Sequence, residues 1–205
     1  YKVEKDDLTL FQTISTITNV NLIEFAPNST IFIGNGGNSN SVNIYEIQQN
    51  NIVNKGSIKI NDTDLQINNL YGGSCAKFSA NGKFFVVAQS QYSYNVALFA
   101  VNDFDIIYLK ELESNSGSIT GANCAAFSMD SNLLLVERST IGGSGGSVLI
   151  FEFNNNTYNY KSNLLNSATD KYYSLAFSPL GSILAVAGIS STRAYINYYE
   201  ISGNE

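Results

Sequence analysis

The sequence predicts an all-β protein built from four repeats of about 50 residues each. The first observation is a Phe that recurs at positions 25, 78, 127 and 177, with spacings of 53, 49 and 50 residues. The second is that turn-forming residues, a short apolar run and an alternating aromatic-containing run follow each Phe. The third is that no stretch shows a convincing 3.6-residue amphipathic period, so helices are not expected.

The first element of each repeat is a short strand that ends on the recurring Phe. The four copies lie at 21–29, 74–82, 123–131 and 173–181. In each copy a small residue follows the Phe, and a Pro, Asn or Asp stands one or two positions after that residue. Because these residues favour tight turns, we expect the chain to reverse direction directly after each Phe.

Three more strands complete each predicted unit. Four apolar runs between turn signals indicate buried second strands, at 31–33, 84–87, 133–136 and 183–186. Gly-, Ser- and Asn-rich loops such as 34–40 and 142–146 follow most of them. Third strands are predicted at 42–47, 96–101, 148–153 and 195–201, and more polar fourth strands at 52–58, 106–112 and 157–161.

Four strands in about 50 residues is the size of a β-propeller blade. Phe177-Ser178-Pro179-Leu180-Gly181, followed by Ala185-Val186-Ala187-Gly188, resembles WD40-like and YVTN-like propeller repeats. The strict WD40 Gly-His and Trp-Asp pairs are absent, and aromatic residues hold the Trp position: Tyr45, Phe99, Phe151 and Tyr199. The resemblance implies one β-propeller domain or propeller segment over 1–205, with four-stranded antiparallel blades at 20–60, 73–113, 122–162 and 172–202.

The phase of the repeat leaves the number of blades open. Residues 1–15 are expected to form the outer strand of the last blade, which would close a four-blade ring. Alternatively, the four units are part of a larger ring. In both cases the four recurring Phe residues are expected to be buried between adjacent sheets.

Composition limits the partners. The net charge is −6, and only 11 Lys and Arg residues are scattered along the chain, so nucleic-acid binding is not expected. No apolar run approaches the roughly 20 residues of a membrane span, so membrane insertion is not expected either. The composition, rich in Asn and Ser and poor in Lys, favours a secreted or cell-surface protein. A cytoplasmic protein is the alternative.

The two cysteines are expected to be free thiols. Cys75 and Cys124 occupy the same position in adjacent repeats, where the inner strands of neighbouring blades are too far apart for a disulfide. Two cysteines in a chain without histidine do not make a zinc site. We expect no metal, no cofactor and no imidazole-dependent chemistry.

Four charged residues are the candidate binding or structural positions. Glu137 and Arg138 end the second strand of the third repeat, where the other repeats carry small or uncharged residues. A charge pair at such a position needs a partner or a ligand. Glu24 and Lys77 lie at equivalent places on neighbouring inner strands, where a structural salt bridge is the simplest expectation.

Two classes of function follow. The inner strands carry mostly Ala, Leu, Ile, Cys and Ser, which favours a non-catalytic module that binds a protein partner or joins a larger assembly through its loops and edges. The alternative is a lactonase-like propeller enzyme or a carbohydrate-binding propeller, whose ligand would be a small molecule or glycan. On the first hypothesis the chain is not an enzyme, and it has no catalytic residues.

Overall fold

A computed structural model describes residues 12–14, 22–35, 41–49, 51–60, 63–64, 74–89, 96–119, 121–122, 124–139 and 145–201. Every regular element in these ranges is a β-strand. Accordingly, the described ranges contain no helix of the length and apolarity that crossing a membrane would require.

The strands form successive antiparallel sheets in which neighbours along the chain are hydrogen-bonded neighbours in space. Sheet 1 contains β1 (Ile23–Phe25), β2 (Ile31–Asn35), β3 (Val42–Gln48) and β4 (Asn51–Ser57). A two-stranded ribbon, β5 (Lys59–Ile60) and β6 (Thr63–Asp64), follows it. Sheet 2 contains β7 (Ser74–Phe78), β8 (Phe84–Gln89), β9 (Val96–Asn102) and β10 (Asp105–Glu111).

A second ribbon, β11 (Glu113–Ser114) and β12 (Gly117–Ser118), leads from sheet 2 to sheet 3. Sheet 3 contains β13 (Ala125–Phe127), β14 (Leu133–Ser139), β15 (Gly146–Asn154) and β16 (Thr157–Ser167). Sheet 4 contains three strands among the described residues: β17 (Lys171–Phe177), β18 (Ile183–Ser190) and β19 (Arg193–Glu200). The all-β prediction and the four-stranded antiparallel unit are therefore confirmed.

The turn between the first two strands of a sheet is closed by the small residue that follows the recurring Phe. In three repeats this residue is Ser, and its hydroxyl accepts a hydrogen bond from a backbone N–H five positions later: Ser79 from Phe84 (3.0 Å), Ser128 from Leu133 (2.9 Å) and Ser178 from Ile183 (3.0 Å). Gly82 and Gly181 sit within these turns at φ 71° and 75°, where a side chain would be strained. The Phe-Ser repeat is thus a turn signal.

The recurring Phe starts a ladder of side chains across each sheet. Strand pairing aligns Phe78 with Phe85 and Phe85 with Phe99 in sheet 2, and paired residues point to the same face. The equivalent ladders are Phe25, Phe32 and Tyr45 in sheet 1; Phe127, Leu134 and Phe151 in sheet 3; and Phe177, Leu184 and Tyr199 in sheet 4. We call this side the ladder face of a sheet and the opposite side its aliphatic face.

The same packing rule operates at all three junctions between the sheets. The ladder face of sheet 2 shares a core with Ile33 and Ile44 on the aliphatic face of sheet 1. The ladder face of sheet 3 shares a core with Val86 and Leu98 of sheet 2, and Leu184 of sheet 4 packs with aliphatic residues of sheet 3. Each interface therefore joins a ladder face to the aliphatic face of the preceding sheet.

Burial of the recurring Phe residues follows this rule and corrects one expectation. Phe78 and Phe127 are buried at 7% and 8% exposure, as predicted, and Phe177 is half-buried. The prediction is wrong for Phe25, which is 53% exposed. Phe25 lies on the ladder face of sheet 1, where the described residues supply no preceding sheet to cover it.

Within the described ranges, the four sheets do not close into a ring. The predicted outer strand at 1–15 falls outside the described residues except for 12–14. There, the Gln12 side-chain oxygen accepts a 2.7 Å hydrogen bond from the backbone N–H of Ile52, at the start of β4. The closed four-blade ring and the larger ring therefore both stay hypotheses.

Candidate functional site

The neighbouring charges at the end of β14 point in opposite directions, because successive side chains of a strand alternate between its faces. Glu137 pairs with Val148 and lies on the aliphatic face of sheet 3, toward sheet 4. Arg138 pairs with Ser147 and lies on the ladder face, toward sheet 2. The two residues cannot act as one charge pair and belong to different environments.

Glu137 is fully buried at 0% exposure. Its backbone N–H donates a 2.9 Å hydrogen bond to the carbonyl of Cys124, so the two residues are neighbours across adjacent chain segments. Burial raises the pKa of the Cys124 thiol, and the negative charge of Glu137 raises it further. This thiol is therefore unreactive, and Glu137 has no access to a ligand from solvent.

Arg138 is partly exposed, and its guanidinium reaches the ribbon between sheets 2 and 3. Nη1 donates hydrogen bonds to the hydroxyls of Ser116 at 2.9 Å and Ser114 at 3.4 Å. Within the described ranges no carboxylate lies within ion-pair distance of this guanidinium. It is a positive group that two neutral hydroxyls hold in place.

An open cleft of about 310 Å³ surrounds the guanidinium. Its lining comes from the ribbon, from β14 and from β16: Ser114, Asn115, Ser116, Arg138, Tyr160 and Asn163. The Tyr160 hydroxyl donates a 3.0 Å hydrogen bond to the Asn163 side-chain oxygen, which fixes the wall opposite the ribbon. The cleft thus offers one cation amid hydroxyls and amides, a set that suits an oxygen-rich anionic or polyhydroxylated ligand.

The other two predicted site residues form an ion pair away from this cleft. Lys77 Nζ lies 2.8 Å from Glu24 Oε2, and both side chains are partly exposed. The pair joins the inner strands of sheets 1 and 2. An exposed pair of this kind contributes about 0–1 kcal/mol to stability.

The two cysteines are free thiols, as predicted. Cys75 lies against the backbone of Ala125, whose N–H is 3.3 Å from the sulfur. Cys124 instead packs into the core between sheets 3 and 4. Cys75 also packs against the edge of the core that contains Cys124, and the two thiols are not crosslinked. Among the described residues there is also no cluster of three potential metal ligands.

Sequence reasoning singled out Arg138 but missed the rest of the cleft. Ser114 and Ser116 lie in a turn sequence, and nothing local indicates that this ribbon folds onto β14. Tyr160 and Asn163 lie on opposite sides of an irregular stretch in the pairing of β15 with β16. A strict two-residue alternation therefore does not place them. Only the sheet-to-sheet packing brings these residues together.

No family model matches the chain, and no curated protein matches its sequence. The resemblance to WD40-like and YVTN-like repeats therefore stays a hypothesis. The fold itself has many matches among solved structures.

Three of these structures illustrate the likeness. A proposed 6-phosphogluconolactonase from Bacteroides uniformis is 14% identical, with a TM-score of 0.60, over 88% of this chain and 57% of that one. The periplasmic gluconolactonase of Pseudomonas aeruginosa is 15% identical, with a TM-score of 0.54, over 87% of this chain and 53% of that one. The hydrazine synthase of Kuenenia stuttgartiensis is 16% identical, with a TM-score of 0.57, over 84% of this chain and 48% of that one.

These matches show that the chain has the β-propeller fold, at identities that establish the fold alone. The chain spans only about half of the length of the structures it matches. The fold class that the matches identify is the β-propeller.

The comparisons also correct the functional hypothesis. The sequence favoured a non-catalytic interaction module that is not an enzyme, but the structural neighbours include proteins named as lactonases. They favour the lactonase-like alternative instead. The non-catalytic prediction was based on the mostly uncharged innermost strands, whereas the cleft cation comes from a second strand and the hydroxyls come from a connecting ribbon.

Proposed function

We propose that this chain is a lactonase-like propeller that binds and opens a sugar lactone in the Arg138 cleft. The observation that carries the proposal is the guanidinium of Arg138, held by Ser114 and Ser116 in an open cleft lined with polar groups. The names of two structural neighbours support the same chemistry. The cleft volume of about 310 Å³ suits a ligand of monosaccharide size.

Lactone hydrolysis builds up negative charge that the guanidinium of Arg138 can stabilise. In lactone hydrolysis, water adds to the ring carbonyl, and the carbonyl oxygen becomes an oxyanion. The ring C–O bond then breaks, and the released alkoxide takes up a proton to give a hydroxy acid. Arg138 donates to the developing oxyanion, and the two Ser hydroxyls fix the guanidinium so that it need not reorganise.

Activation of water does not use an imidazole, because the chain contains no histidine. Glu137, the carboxylate next in sequence to Arg138, is fully buried on the opposite side of the sheet. The catalysis we propose is therefore electrostatic stabilisation combined with orientation of the substrate. Such a site is adequate for a lactone, an ester that is already reactive toward water.

The experiment compares hydrolysis of glucono-δ-lactone and its 6-phosphate by the wild type, Arg138→Gln and Arg193→Gln. Arg193 is the other arginine of the chain and lies exposed in sheet 4, so its variant is the matched control for lost charge. We expect Arg138→Gln to lower kcat/KM by about 10- to 100-fold, the value of one charged hydrogen bond, and Arg193→Gln to leave it unchanged. No hydrolysis above the uncatalysed rate by the wild type, or equal loss in both variants, would contradict the proposal.

We also propose that the four sheets are an arc of a larger ring rather than a closed four-sheet ring. The support is the exposure of Phe25 at one end of the arc and of Tyr198 at the other, at 53% and 70%. In a closed four-sheet ring these two side chains would lie at a fourth interface and would be buried.

A further inference from the structure

The wall of the Arg138 cleft opposite the ribbon depends on a β-bulge in β16. Tyr160 and Asn163 are three positions apart, so regular alternation would place their side chains on opposite faces of sheet 3. Strand pairing shows one extra residue between them, Lys161, where the register with β15 shifts. Both side chains therefore lie on the ladder face, which is also the face of the guanidinium.

The same bulge directs a second cation away from the cleft. Lys161 points to the other face of sheet 3, where its Nζ lies 2.7 Å from Glu152 Oε1. The ring of Tyr160 instead packs edge-on against Phe151, with the ring centroids 6.0 Å apart. The lining of the cleft thus combines one cation with a wall of two neutral polar groups, a phenol and an amide.

The phenol and the amide offer complementary hydrogen-bonding groups. The Tyr160 hydroxyl donates its single proton to Asn163 Oδ1 at 3.0 Å, so the phenol oxygen remains an acceptor. The Asn163 amide nitrogen carries two N–H donors, and within the described part of the chain no hydrogen bond engages them. An acceptor beside two donors matches two neighbouring hydroxyl groups, because each hydroxyl both donates and accepts.

Sheet 2 carries a different pair at the equivalent positions. Strand pairing makes Tyr108 the counterpart of Tyr160 and Glu111 the counterpart of Asn163. A carboxylate in the cleft of sheet 3 would compete with the charge of a ligand for the guanidinium. The neutral amide of Asn163 leaves that guanidinium to the ligand and adds two donors of its own.

We propose that Tyr160 and Asn163 determine the specificity of the cleft by binding two neighbouring hydroxyl groups of the ligand, while Arg138 binds its carbonyl or carboxylate end. The ligand class is a polyhydroxylated sugar acid or its lactone. An analogue without the hydroxyl groups binds poorly, because the amide and the phenol then have no partner in the complex. This inference rests on the proposed function, since it takes the Arg138 cleft as the site that holds the lactone and its product.

Two ligands separate recognition of hydroxyl groups from recognition of charge. Gluconate carries a carboxylate and five hydroxyl groups, whereas 5-hydroxyhexanoate keeps the carboxylate and the six-carbon chain but only one hydroxyl. Titration calorimetry measures the dissociation constant of each ligand for the wild type, Tyr160→Phe, Asn163→Leu and Arg138→Gln. Tyr108→Phe makes the same change in sheet 2, outside the cleft lining, and is the matched control.

We expect the wild type and Tyr108→Phe to bind gluconate about 10-fold or more tightly than 5-hydroxyhexanoate. Tyr160→Phe and Asn163→Leu should each weaken gluconate binding by about 3- to 10-fold, the value of a neutral hydrogen bond, and leave 5-hydroxyhexanoate binding unchanged. Arg138→Gln should weaken both ligands by the same factor, since both carry the carboxylate. Asn163→Ala replaces Asn163→Leu if circular dichroism shows that the latter does not fold.

Equal affinity of the wild type for the two ligands would overturn the inference. Unchanged gluconate binding in either Tyr160→Phe or Asn163→Leu would do the same, as would no gluconate binding to the wild type at tens of millimolar. Failure of the lactonase proposal is a separate result. Lactone hydrolysis that depends on Arg138, without a preference for gluconate, refutes the hydroxyl recognition alone. A preference that both variants reduce, without any hydrolysis, refutes lactone opening alone.

Discussion

Truncation of the recurring Phe at two equivalent positions tests the packing rule quantitatively. Phe127→Ala removes a ring that is 8% exposed and packs in the core between sheets 2 and 3, with its centroid 5.3 Å from that of Tyr158. A buried Phe→Ala change costs about 3–5 kcal/mol of unfolding free energy, from lost burial and the cavity that remains. Phe25→Ala removes the same group from a position that is 53% exposed. About half of its transfer free energy is absent from the start, so we expect a cost of roughly 1 kcal/mol.

The assay is urea denaturation of both variants and the wild type at low micromolar concentration, followed by circular dichroism. The two variants have matched chemistry and matched strand position, so the difference of about 2–4 kcal/mol reports only the neighbouring sheet. The m-values should be similar, because both variants expose the same amount of surface on unfolding. Equal costs at the two positions would refute the argument, since they would mean that a sheet covers Phe25 as well.

Three further predictions concern single contacts. Tyr158 is fully buried, and its hydroxyl donates a 2.5 Å hydrogen bond to the Ser131 carbonyl. Tyr158→Phe should therefore lower the unfolding free energy in urea by about 1–3 kcal/mol; no change would mean that the bond contributes nothing. A Cβ at Gly188 would lie 2.8 Å from the Lys171 carbonyl and 2.9 Å from the Tyr195 hydroxyl oxygen. Gly188→Ala should lower the Tm through this overpacking, whereas Gly82→Ser, at an open turn with positive φ, tests backbone strain alone. Burial alone would raise the pKa of Asp130, but hydrogen bonds from Ser128 and Asn132 outweigh it and hold the pKa below its usual 3.8. The ionised carboxylate therefore stabilises the fold fully above the unfolded-state pKa, and this contribution is lost as the pH falls through the folded-state pKa. The difference in Tm between the wild type and Asp130→Asn should shrink below pH 3.8. A difference that stays constant with pH would contradict this prediction.

The repeat made the fold predictable from sequence, because each element is encoded locally. The residue after Phe78, Phe127 and Phe177 is Ser, and that hydroxyl closes the turn wherever it occurs. Alternation of apolar residues then fixes which side chains share a face. The sheet that packs against a face is formed by residues distant in sequence. The sequence pattern therefore could not distinguish the buried Phe127 from the exposed Phe25.

The site was only half predictable. Glu137 and Arg138 stood out because charged residues replace small ones at the end of a strand. Their adjacency already implied opposite faces, since side chains alternate along a strand, and that signal was available in the sequence. The pairing of Arg138 with Ser114 and Ser116 depends on how a ribbon folds across an interface, which no residue spacing encodes.

Binding of the product of the proposed reaction tests most directly whether the Arg138 cleft is a lactonase site. Titration calorimetry with 6-phosphogluconate measures binding without requiring turnover. The same titration of Arg138→Gln and Arg193→Gln shows whether the compound binds at Arg138. The account predicts saturable one-to-one binding to the wild type and to Arg193→Gln, and affinity weaker by about 10-fold or more for Arg138→Gln. Binding that is unchanged in Arg138→Gln, or absent from the wild type at millimolar product, would contradict it.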